Sequence, residues 1–230
     1  MASNGLIRLA AALTFLVSTA TSAQIGPSPS EKTAYRGLFA AAASGDATTI
    51  ARLAASGGSV SERDGYGRTP LHVAAYASRS DAMRALVKAG ADPNALERDR
   101  YDIVTIAAVA NDLPTLRVAL SIGCSAKNVT SRYDGTALIA AAHLGHHEVV
   151  RELIAAGAPL DHVNNLGWTA LIESIVLGDG GPRHVATLRA LVEAGASVNL
   201  ADRQGTSPLA LARGRRFEPM ITILEKAGAR

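Results

Sequence analysis

Three histidines fall within five residues in the stretch HLGHH, His143 to His147, the best candidate for chemistry in the chain. Imidazoles hold a metal when several converge on one point with hydrogen-bonded support behind each ring. Spacing alone does not supply that convergence. A metal carrier would retain metal through purification and lose it when His143 and His147 become alanine. Ser174 next to Glu173 sets a hydroxyl beside a carboxylate, but no histidine is evidently paired with it, and a small packing residue is the simpler reading. Cys124, the single cysteine, follows Gly123 in a slot that elsewhere holds Ala91 and Ala158, which fits a small buried side chain better than a reactive thiol. No HExxH, GxSxG or P-loop pattern occurs. The expectation is a protein that is not an enzyme and carries no cofactor or metal.

The bulk composition narrows the partner. Of 230 residues, 23 are basic and 20 acidic, a net charge of +3 without a sustained basic stripe, so nucleic acid is not expected. Arg8, the apolar run LAAALTFLV and the small residues of STATSA read as a signal peptide over residues 1–23, cleaved after Ala23. The apolar run is too short for a bilayer core, which needs about 20 residues, so no stable membrane insertion is expected after cleavage. A periplasmic or secreted location follows, with stability from packing alone because one cysteine makes no internal disulfide. Residues 24–30, QIGPSPS, read as a polar leader with no core of its own.

What positions these residues is a repeat. Gly57, Gly90, Gly123, Gly157, Gly195 and Gly228 each follow a similar helix end, at intervals close to 33 residues. Upstream of them lie RTPLHVAA, YDIVTIAA, GTALIAAA, WTALIESI and TSPLALAR. The residue before each of these inner helices is Thr69, Asp102, Thr136, Thr169 or Ser207, all good N-caps. Pro70 and Pro208 then take the first helical position, where a missing N–H costs nothing. In the second helices one column reads Ile50, Met83, Leu116, Val150, Leu188, Ile221 and the column three residues on reads Leu53, Leu86, Ala119, Leu153, Leu191, Leu224, which places both on one face.

The motif TPLHVAA at residues 69–75 and the run GHHEVVRELIAAGA at residues 145–158 resemble the ankyrin repeat. The resemblance spans residues 31–230 as six repeats, approximately 31–63, 64–96, 97–130, 131–163, 164–201 and 202–230. It implies an all-α ankyrin-repeat solenoid, about six helix-turn-helix repeats with short β-hairpin or loop connections, and places His146 in the family's common Gly-His slot. Repeat 1 lacks the motif and reads as an N-terminal cap. Repeat 5 carries about five extra residues around Gly178 to His184, read as a surface loop. The cluster Arg213, Arg215, Arg216 reads as the solvated face of the last repeat.

An ankyrin stack offers its hairpin tips and inner helices as a concave binding face. Tyr35, Tyr101 and Trp168 lie one residue before the cap position, Tyr66 and Tyr133 three before it, and Tyr76 late in its inner helix. These positions put every tyrosine and the tryptophan on that face, leaving Phe39 and Phe217 as the only aromatics of the core. Such side chains anchor interfaces; alternatively they stack on neighbouring arginines and stiffen the hairpins. The expected binding residues are Tyr66, Arg68, Tyr76, Arg98, Tyr101, Arg132, Tyr133, Leu166 and Trp168. Mixed charge at the tips points to a protein partner rather than phosphate. The expected function is a monomeric protein-binding module; the alternatives are an inhibitor or immunity-type protein for one secreted enzyme and, further off, a metal-binding protein or enzyme.

Overall fold

The computed structural model describes residues 24–230. The expected signal peptide, residues 1–23, lies outside the described residues. A short helix α1 (Pro29–Ala34) precedes six helix pairs. The pairs are α2 (Gly37–Ser44) with α3 (Ala47–Ala55), α4 (Pro70–Tyr76) with α5 (Ser80–Lys88), and α6 (Ile103–Val109) with α7 (Leu113–Ser121). They continue with α8 (Ala137–His143) and α9 (His147–Ala155), α10 (Ala170–Val176) and α11 (Pro182–Glu193), and α12 (Pro208–Gly214) and α13 (Glu218–Lys226). Even-numbered helices from α2 to α12 stack as an inner row, and odd-numbered ones from α3 to α13 as an outer row.

Local chemistry starts the inner helices of repeats 2 to 6 where the sequence predicts. The Asp102 carboxylate accepts the Thr105 N–H at 2.7 Å, and Thr136, Thr169 and Ser207 accept from Ile139, Ile172 and Ala210. Thr69 differs: its N–H and hydroxyl both lie against His72 Nδ1, at 3.1 and 2.8 Å, while His72 Nε2 reaches the Tyr101 carbonyl in the next repeat. His72 is therefore a bracket between repeats 2 and 3. The six glycines that follow the outer helices all have positive φ, where a Cβ would be strained.

Stacking supplies the core. Met83, Leu116, Val150 and Leu188 have no exposed surface, nor have Leu86, Ala119, Leu153 and Leu191 in the adjoining column. Leu53, in the first repeat, is only half-buried. Cys124 is buried, with its Sγ 3.6 Å from Asp102 Oδ2, and burial raises its thiol far above the usual range. Ser174 is fully buried and donates to the Leu171 carbonyl within its own helix.

The connections between helix pairs are turns, and among the described residues the only β-pairing is an isolated bridge between Thr130 and Gly135. Three expectations need correction. The leader has packing of its own, since Pro27 is buried and Ser28 with Glu31 forms a capping box at the start of α1. The insertion in repeat 5 is packed rather than a free loop. His184 is buried, its Nε2 lies 2.9 Å from the His143 carbonyl and its Nδ1 2.8 Å from Asp179. A Cβ on Gly178 would stand 2.1 Å from the Ser174 carbonyl oxygen, so glycine is there for close approach. Arg215 is likewise not spare solvated charge, because its guanidinium donates to the carbonyls of Val176 and Gly178.

Candidate protein-binding groove

One turn, repeated five times, sets the hairpins. Five residues before each cap a side-chain oxygen accepts two backbone N–H groups, those two and four residues further on. Asp64 accepts from Tyr66 and Arg68, Glu97 from Asp99 and Tyr101, and Ser131 from Tyr133 and Gly135. Asn164 accepts from Leu166 and Trp168, and Asp202 from Gln204 and Thr206. The residue two before the cap has positive φ throughout, including Arg100 and Asp134, which stand where other repeats have glycine. Those two pair at 2.8 Å across adjacent hairpins. The tips are also laced together by backbone bonds from Arg98 to Tyr66 and from Asn165 to Tyr133.

Between the hairpins and the inner helices of repeats 2 to 5 lies a groove of about 540 Å³, lined also by Gln24 and Gly26 of the leader. Its apolar wall comes from Val109, Ile139, Ala140 and Leu144, and its aromatic wall from Tyr76, Tyr101 and Tyr133. Burial pushes the Tyr76 phenol well above its ordinary range, so it stays neutral. The polar floor holds His143, Glu173 and Asn164, with Asn164 Nδ2 donating to Glu173 Oε1 at 2.9 Å.

The nine expected binding residues divide. Tyr76, Tyr101 and Tyr133 line the groove. Tyr133 is 40% exposed, whereas Tyr101 is 9% exposed and belongs to the core, which corrects the expectation that only phenylalanines serve there. Tyr101 still lines the groove, and its N–H is tied to Glu97. Tyr66 and Leu166 are exposed at the hairpin tips. Tyr66 lies between the guanidiniums of Arg68 and Arg98, 4.6 and 5.6 Å from the ring centre, the stiffening arrangement weighed from sequence. Arg98 and Arg132 are exposed, with Arg132 bonded to Asp99 at 2.7 Å. Trp168 is half-buried and is not among the residues lining this groove.

Arg68 is the clear correction. Its side chain is 0% exposed and cannot touch a partner. It bonds Asp64 at 2.7 Å, Glu31 of α1, and the Ile25 carbonyl of the leader at 3.2 Å. Tyr35 also leaves the binding face, since its hydroxyl donates to Asp64 at 2.7 Å and its ring stacks on Phe39. Burial alone would raise Asp64, but the Tyr35 hydroxyl and the Arg68 guanidinium outweigh it and hold the carboxyl below the usual range. The sequence carried a signal for this cluster in Ser28-Pro-Ser-Glu31, a helix-start pattern that begins within the leader read as having no core of its own.

The HLGHH rings diverge. His143 Nδ1 faces Glu173 at 3.4 Å, His146 Nδ1 lies 3.0 Å from the Ala108 carbonyl, and His147 Nε2 meets Glu148 at 3.1 Å. Among the described residues no three His, Cys, Asp or Glu side chains gather as a metal site, and no helix is long and apolar enough to cross a membrane.

Comparison with known proteins agrees with this architecture. A family model described as ankyrin repeats (3 copies) matches residues 8–97 and 104–202. The chain is 36% identical over 190 residues to the ankyrin repeat protein YahD of Escherichia coli (strain K12), covering 82% of this chain and 94% of that one. An ankyrin repeat domain from Acinetobacter baumannii AYE matches with a TM-score of 0.78 at 42% identity, covering 84% of this chain and 98% of the other. The ankyrin repeat domain of Bcl-3, a member of the IkappaB protein family, gives 0.76 at 28% identity and coverages of 85% and 87%. Ankyrin repeats are a general protein–protein interaction module, and this chain belongs to the ankyrin-repeat family.

Proposed function

We propose that the chain is a non-catalytic module that binds a protein partner through the groove between its hairpins and inner helices, in the periplasm or secreted space. The observation that carries this reading is the groove itself: about 540 Å³ of largely apolar surface with a tyrosine wall, held open by rigid, cross-linked hairpins. An apolar concavity with a few fixed polar groups is the usual form of a recognition site. The location rests on the N-terminal sequence pattern, cleavage after Ala23 leaving Gln24 as the first residue.

The test is capture from periplasmic extract with the mature chain, residues 24–230. Beside it run a groove variant with Tyr76, Tyr133 and Leu144 changed to alanine and an outer-helix variant with Arg84 and Arg151 changed to alanine. A protein held by the parent and the outer-helix variant but lost by the groove variant is the expected result, with circular dichroism showing all three folded. Equal retention by all three, or none by the parent, overturns the reading. One partner surviving stringent washing marks a dedicated inhibitor-type binder, and several weaker ones mark a scaffold.

A further inference from the structure

Glu173 stands where no carboxylate is needed for stacking. The same position of the other inner helices holds Val73, Ile106, Ala140 and Leu211, all apolar. Glu173 is only 4% exposed, yet it lines the groove. Burying a carboxylate is costly unless both of its oxygens are compensated. Oε1 takes one hydrogen bond from Asn164, but Oε2 accepts none, and His143 Nδ1 stands 3.4 Å from it. On the same groove, Gln24 Nε2 is also buried without an acceptor. Among the described residues three buried side-chain polar atoms lack partners, and two of them lie on this one groove.

A buried carboxylate oxygen and a buried amide nitrogen, each without a hydrogen bond and set along an apolar channel, suit a ligand that offers both partners. We propose that the groove takes an extended segment of a partner protein whose lysine or arginine side chain enters to pair with Glu173. The segment's backbone carbonyls supply the acceptor that Gln24 lacks. The aliphatic stem of such a side chain lies along Ile139 and Leu144 while its charged end reaches the carboxylate. A tyrosine ring face favours a cation over a neutral group, and three tyrosines line the channel. A charge-assisted bond in a largely desolvated place is strong and directional, so Glu173 would select the residue as well as hold it.

This inference rests on the groove being the binding site, and the test separates the two. A phage-displayed library of random linear 12-residue peptides is panned against the mature chain, against Glu173→Gln and against the triple alanine groove variant. The expected result is enrichment by the parent of peptides sharing one basic position. For those peptides Glu173→Gln weakens binding by roughly 10- to 100-fold, and the groove variant binds none. Peptides that need the groove but share no basic position, or that bind Glu173→Gln equally well, overturn the assignment of Glu173 and leave the groove in place. Peptides indifferent to the groove variant, or no enrichment by the parent, overturn both. A second arm needs no variant at all. N-acetyl-arginine amide should displace an enriched peptide from the parent at concentrations where the uncharged isostere N-acetyl-citrulline amide does not; equal displacement by both contradicts the proposal.

Discussion

Replacing Arg68 by alanine is expected to destabilise the mature chain by about 3 kcal/mol, the size seen when one member of a buried ion group is removed. The guanidinium is fully buried and joins three separate parts of the chain: Asp64 of its own hairpin, Glu31 of α1 and the Ile25 carbonyl of the leader. Its loss leaves Asp64 buried with one fewer donor and removes the fixed point against which the leader packs. Glu31 is 28% exposed and recovers water when the leader lifts away, so most of the cost falls on Asp64. Urea unfolding followed by circular dichroism measures the effect. The Arg68→Met variant, which keeps the stem but not the charge, should lose nearly as much, and adding Asp64→Asn to Arg68→Ala should restore part of it. A loss below about 0.5 kcal/mol for Arg68→Ala, the range of an ordinary surface change, would show that the cluster is decoration.

Acid is expected to weaken the fold well before its surface carboxylates are protonated. Burial lowers the His72 pKa from 6.5 to about 4, and burial also lowers that of His146. The unfolded chain therefore binds protons that the folded chain excludes once the pH falls below about 6.5. Stability contributed by neutral His72 is intact above that value, declines as pH falls, and is lost by about pH 4, a total on the order of 3 kcal/mol. Asp64 and Glu31, whose carboxyls are held low, add a loss of the same sign further down, as pH falls through their folded values. Unfolding free energies measured from pH 7.5 to 4.5 should fall steadily below 6.5. His72→Asn should be less stable at neutral pH and show a shallower slope. A parent curve flat between pH 6.5 and 5 would contradict the bracket role of His72.

The parts of this structure that were legible in the sequence are those fixed by short-range chemistry. A cap needs a hydroxyl or carboxylate at one position, and a left-handed terminus needs glycine, so Asp102, Thr136 and Gly157 announced themselves. Depth along the stack was not legible in the same way. Tyr101, Tyr35 and Trp168 share one register, yet Tyr101 is core, Tyr35 is bonded to Asp64 and Trp168 is half-buried, because neighbouring repeats differ. The burial of Arg68 was not legible because it depends on Glu31 of α1 and Ile25 of the leader, 37 and 43 positions away. The insertion at Gly178 to His184 reads as loop because its glycines suggest freedom, while in the fold they admit the Ser174 carbonyl and the Phe217 ring. The hairpin acceptor column escaped notice for a different reason: Asp, Glu, Ser and Asn alternate in it, alike only in offering an oxygen at the right distance.

The most direct measurement of the central claim is amide hydrogen exchange on the mature chain with and without the partner it captures. Tyr101 and residues 130–136, the stretch that lines the groove beside it, should slow on binding, while the outer helices α5, α7 and α9 should exchange as before. Protection confined to those outer helices, with the hairpins unchanged, would contradict binding through the concave face.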